Sequence, residues 1–80
     1  MSEIIYLGWF DDNPKKSAEQ KIDEAVDRYV KRFGRKPNLC LVNREDQVAH
    51  RAVEVRPAGN VHRHHFLVGY VPKQGSAGRG

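Results

Sequence analysis

The chain is short of nearly everything that announces a function. One cysteine in 80 residues cannot close an internal disulfide, which excludes a disulfide-stapled scaffold and points to a reducing compartment. No apolar run approaches the roughly 18 residues of a membrane helix. The apolar stretch Ile4–Phe10 is also too short for a signal peptide, and Asp11-Asp12 interrupts it. A cytoplasmic protein with no membrane contact is therefore expected. There is no internal repeat and no metal-ligand or nucleotide-binding signature. Gly8, Lys16 and Ser17 lack the glycine that a phosphate-binding loop needs before its lysine. No cofactor and no small-molecule substrate are implied, and a non-enzymatic protein is expected.

What is there describes a small folded domain. With 39% hydrophobic and 30% charged residues, the composition supports one core rather than a disordered chain. Eighty residues leave room for a single domain with a thin stability margin. Residues 1–71 are expected to form it, and 72–80, rich in glycine, a flexible tail.

The pattern predicts a small β-α-β-β-β domain of the α+β class. Ser2–Phe10, rich in β-branched and aromatic residues, reads as a strand internal to the sheet. Asp11-Asp12-Asn13-Pro14 ends it. Ser17 and Gln20 match a capping box, and Ala18, Ile22, Ala25, Val26, Tyr29, Val30 and Phe33 form one apolar stripe at helical spacing. Gly34 follows where a helix wants a left-handed residue, and Pro37 blocks continuation. An amphipathic helix over about 17–33 is therefore expected, and a charge at Val26 or Phe33 is expected to prevent folding.

Leu39–Val42 reads as a central strand, parallel to the first through the helix. Residues 44–50 form either a helical turn or a loop. Ala52–Arg56 reads as a third strand, and Val61–Val71 as a fourth that returns on it, giving a short mixed sheet ending in a C-terminal hairpin. An internal strand apolar on both sides needs cover on both, and only one full helix is in sight. Either 44–50 covers the second face or another molecule does, which makes a homodimer an expectation too.

Charge is distributed unevenly. Residues 1–33 hold six Lys/Arg against seven Asp/Glu, whereas 34–80 hold eight against three and all four histidines. The leading expectation is a binding module that contacts DNA or RNA phosphates through the basic C-terminal hairpin. Arg51, Arg56, His62, Arg63, His64 and His65 are the candidate contacts. Alternation places His62, His64, Phe66, Val68 and Tyr70 on one face, where aromatic rings can stack on bases. The alternative is a protein-interaction or homodimerisation domain that uses an uncovered sheet face or an edge strand.

Lesser candidates each have a plain structural reading. His62 and His64, with His50, offer a metal too few ligands. Asp11 and Asp12 suit a cation and Lys15 and Lys16 a phosphate, but an acidic turn before a helix with flanking solvated lysines is the leading reading of them. Cys40, between leucines, reads as an inert core thiol rather than a nucleophile. Trp9 and Phe10 either cap the core or anchor a partner.

Overall fold

The computed structural model describes residues 5–72. Helix α1, Ala18–Phe33, begins at the capping box read from sequence. Ser17 Oγ accepts the Gln20 N–H at 3.1 Å, and Gln20 Oε1 accepts the Ser17 N–H at 2.9 Å. Two of the four orphan donors at the helix start are satisfied reciprocally in this way. The helix stops at Gly34, whose φ of +76° suits glycine and whose N–H reaches the Val30 carbonyl at 2.8 Å.

Four strands follow from the remaining apolar runs: β1 (Tyr6–Phe10), β2 (Leu39–Val42), β3 (Glu54–Pro57) and β4 (His65–Gly69). They form one mixed sheet in the order β1-β4-β2-β3. Strand β4 runs antiparallel to both β1 and β2, and β3 pairs parallel with β2. One helix on a four-stranded mixed sheet is the small α+β fold expected.

The arrangement differs from the expectation in three places. Strand β1 is an edge rather than an internal strand, because β4 lies between it and β2. Burial decides this: Phe66, Val68 and Gly69 of β4 are buried, whereas Gly8 and Phe10 of β1 are exposed. The C-terminal hairpin does not form either, since β2 separates β3 from β4. Strand β3 exposes Glu54, Arg56 and Pro57 and ends in a residue without an N–H, which suits the sheet's other edge. Finally, β4 begins at His65, and His62–His64 belong to the turn before it. The expected flexible tail falls, apart from Pro72, outside the described residues.

The link between β2 and β3 holds one 3₁₀ turn, Arg44–Asp46, capped by Asn43 Oδ1 on the Glu45 N–H at 2.9 Å. Beyond it, Val48 and Val53 join the same core as the helix. His50 Nδ1 accepts the Ala52 N–H, so its Nε2 donates, at 2.6 Å, to Asp23 on α1. The link therefore lies on the helix side of the sheet and leaves the second face alone.

The core is the layer between them: Ile22, Ala25 and Tyr29 of α1 against Cys40, Val42, Val53, Phe66 and Val68, with Leu7, Trp9, Val26 and Val55 around it. Register and alternation send the other strand residues to the opposite face. These are Tyr6, Gly8 and Phe10 on β1, His65, Leu67 and Gly69 on β4, Leu39 and Leu41 on β2, and Glu54 and Arg56 on β3.

Phe33 is not in the core. It is 38% exposed and rests on Tyr29, ring centroids 4.6 Å apart. The sensitivity expected of it belongs to Ile22 and Phe66 instead. Ile22→Ala should cost about 2–5 and Phe66→Ala about 3–5 kcal/mol, a large share of a small domain's stability. Phe33→Glu should keep a cooperative urea transition, and its loss of that transition would show that the helix end is core after all.

Candidate nucleic-acid interface

The six residues singled out in the C-terminal half have different settings. Arg51 and His62 are exposed. Arg56 donates to Glu54 at 2.7 Å, and this bond raises its pKa above an already high value. Arg63 is held twice, by Glu45 at 3.0 Å and by Asp46 at 3.1 Å. His64 has a φ of +69°, uncommon for a residue with a side chain. The turn holds it there: Asp46 Oδ2 accepts the His64 N–H at 2.7 Å, and the His64 carbonyl accepts the Asp11 N–H at 3.0 Å. His65 Nδ1 donates to the Arg63 carbonyl at 3.1 Å, and its ring lies against Phe10, centroids 4.8 Å apart.

Two of the three arginines therefore already have carboxylate partners, which compete with any phosphate. The aromatic platform expected on His62, His64, Phe66, Val68 and Tyr70 is not there. Phe66 and Val68 are buried under α1, because the strand's apolar parity faces the helix. Buried Asp46, which ties the 62–64 turn together, is a structural residue that nothing in its local sequence announces.

The remaining candidates also have structural roles. Asp11 accepts the Asn13 N–H at 2.9 Å and Lys16 Nζ at 3.1 Å, and Lys16 also reaches Glu24 at 2.9 Å. Loop and helix start are thereby joined. Cys40 is fully buried, and burial pushes its thiol up to about 12, far from a nucleophile. Among the described residues no group of three or more His, Cys, Asp or Glu could hold a metal ion. Nor is any helix among them long and apolar enough to cross a membrane.

A dense run of exposed cations lies where the two-half charge count hides it. Residues 28–36 contain Arg28, Lys31, Arg32, Arg35 and Lys36 and no acid. All five are exposed. Dividing the chain near residue 33 splits this cluster and offsets most of it with the acids upstream. A sliding charge count finds it.

The spacing from 28 to 32 keeps these two arginines on one side of the helix, and Arg35 follows just past its left-handed end at Gly34. Each lies over an aromatic ring: Arg28 over Trp9 at 5.5 Å, Arg32 over Phe33 at 5.7 Å and Arg35 over Tyr70 at 4.3 Å. Lys31 pairs with Asp27 at 3.2 Å, both well exposed, an arrangement worth little in water. Between α1 and the free edge of β1 runs a groove of about 420 Å³ lined by Leu7, Gly8, Trp9, Arg28, Lys31 and Arg32. Its lining holds three cations, of which Lys31 is shared with Asp27. Arg28 and Arg32 leave it net positive, although Asp23, Glu24 and Asp27 line the adjoining hollow with Trp9, Arg28 and Lys31.

The chain matches no known protein family, no curated protein and no solved structure.

Asp11 supplies a pH test of this local architecture. The Asn13 N–H foremost, and then Lys16, hold its pKa below the usual 3.8 against the opposing effect of burial. A carboxyl depressed in the folded state stabilises above its unfolded pKa, and the contribution disappears as pH falls through the folded value. A carbon-13 titration should place the Asp11 midpoint below 3.8. Asp11→Asn should flatten the loss of stability on acidification, and a midpoint at or above the ordinary value would show that the loop contacts do not persist in solution.

Proposed function

We propose that the protein is a small non-enzymatic module that binds nucleic acid through its phosphate backbone, with the exposed cations of the α1 C-terminal end as its main contacts. The observation that carries this reading is the cluster Arg28, Lys31, Arg32, Arg35 and Lys36, five exposed cations in nine residues with no acid among them. The placement of Arg28, Arg32 and Arg35 over Trp9, Phe33 and Tyr70 supports the reading in a second way. A guanidinium held over a ring has less side-chain freedom to lose on binding, and the ring leaves its charge in place. The partial negative charge of the helix C-terminus opposes an arriving phosphate, but about half a charge is outweighed by five cations.

Arg51 is an exposed supplementary contact, whereas Arg56 and Arg63 must first leave their carboxylates. Backbone contact of this kind carries little sequence preference and depends strongly on salt. Each neutralised phosphate contributes about −0.9 to the slope of log K against log salt for a duplex and about −0.7 for a single strand.

The experiment is fluorescence anisotropy with a labelled mixed-sequence oligonucleotide at several salt concentrations. The parent should bind with a slope of about −3 to −4. The triple variant Arg28→Ala, Arg32→Ala, Arg35→Ala should lose most of its affinity and about two to three units of slope. Arg51→Ala, Arg56→Ala, Arg63→Ala should lose much less, and the opposite order would return the contact to the C-terminal residues. No binding at low salt, together with a concentration-dependent mass, would overturn the reading in favour of a homodimer.

A further inference from the structure

Across the sheet face away from α1, which no helix among the described residues covers, the register lays out two full rows and a third that begins at β1. Tyr6, Gly69, Leu39 and Glu54 form one, Gly8, Leu67, Leu41 and Arg56 the next, and Phe10 with His65 starts the third. Rings dominate the β1 side. Phe10 is 56% exposed and leans on His65 with an interplanar angle of 49°. Tyr6 lies directly over Gly69, where an added Cβ would sit 2.7 Å from its ring. Glycine at 69 is thus what lets the Tyr6 ring lie down on the sheet.

The cations reach this face around one edge. Among the described residues β1 pairs only with β4, and its outer side carries no strand partner. On that outer side is the groove with Arg28, Lys31 and Arg32, and exposed Gly8 puts no side chain in the way. A ligand crossing the β1 edge at Gly8 meets positive charge on the helix side and aromatic surface on the other.

We infer that this face takes the unpaired bases of a single-stranded nucleic acid, stacked on Phe10 and Tyr6, while its phosphates follow the α1 cations around the β1 edge. The inference rests on the nucleic-acid reading above and adds the form recognised. A duplex keeps its base faces stacked inside and offers exposed rings nothing to stack on, whereas a single strand offers a π-face at every base. A second copy of the chain suits this edge poorly, because pairing β1 with β1 brings Arg28, Lys31 and Arg32 toward their own equivalents.

The bonded pair Asp11–His64 makes Leu7 and Trp9 the β1 residues that bond to β4, which leaves the peptide groups of Tyr6, Gly8 and Phe10 facing outward. An acidic peptide adding as a strand is therefore the occupant to test against.

The test uses the full chain with a mixed-sequence single strand, the matching duplex and an acidic peptide of similar length. The single strand should bind at least about tenfold more tightly than the duplex and move the Phe10 and Tyr6 ring signals upfield in NMR spectra. Phe10→Leu combined with Tyr6→Leu should weaken the single strand about tenfold and leave duplex affinity and salt slope unchanged. Phe10→Leu alone, at an exposed position, serves if the double variant folds poorly, and Phe10→Tyr should restore binding. If the leucine variants bind the single strand like the parent and the ring signals stay still, the inference is wrong and the α1 reading stands by itself. If the parent binds no nucleic acid, both are wrong. Binding of the acidic peptide in its place, with shifts along β1, overturns both in favour of strand addition.

Discussion

Ile22, Ala25 and Tyr29 close over Cys40, Val42, Phe66 and Val68 in one contact layer, and that layer is the main hydrophobic core of the described residues, with Leu39 and Val61 buried outside it. A sheet has two faces, and a domain of this length has apolar residues enough to cover one of them. The link between β2 and β3 spends its apolar side chains, Val48 and Val53, on that same side. Much of what is exposed on the second face follows from this limit, as does the placement of β4, with Phe66, Val68 and Gly69 buried, in the interior of the sheet.

Positive charge obeys a second constraint. A cation is available to an outside anion only where no carboxylate inside the molecule competes for it. Arg56 and Arg63 lie within reach of Glu54, Glu45 and Asp46, and Lys16 is shared by Asp11 and Glu24. At the end of α1 the acids run out after Asp27, and the arginines turn to aromatic rings instead. Ring and carboxylate both order an arginine, but only the carboxylate neutralises it. The difference separates the helix end from the C-terminal segment more sharply than counting charges does.

Much of the architecture was legible because it is written locally. Ser17, Gln20, the stripe from Ala18 to Val30 and Gly34 act within a few residues of one another, and they bounded α1 correctly. The short apolar run at Leu39–Val42 likewise marked a buried strand. The end of the stripe was less legible: Phe33 keeps the helical spacing but extends past the sheet it would need for cover. Strand order was not legible at all. The choice between a β3–β4 hairpin and a β4 strand placed between β1 and β2 depends on which pairing buries Phe66 and Val68 beneath the helix, and no neighbouring residue encodes that.

The candidate interface divides along the same line. The sequence alone determined that the protein is basic and that one amphipathic helix leaves a sheet face in want of cover. Only the tertiary structure decided which cations are spent on internal carboxylates and which stay free. It also decided that Phe10, Tyr6 and Gly8 lie on an open edge beside Arg28, Lys31 and Arg32. Those partners are some 20 residues apart in the chain, and chain folding rather than spacing brings them together. A local pattern of charge and hydropathy records the content of a surface, whereas its neighbours are set by the long-range pairing that buries the core.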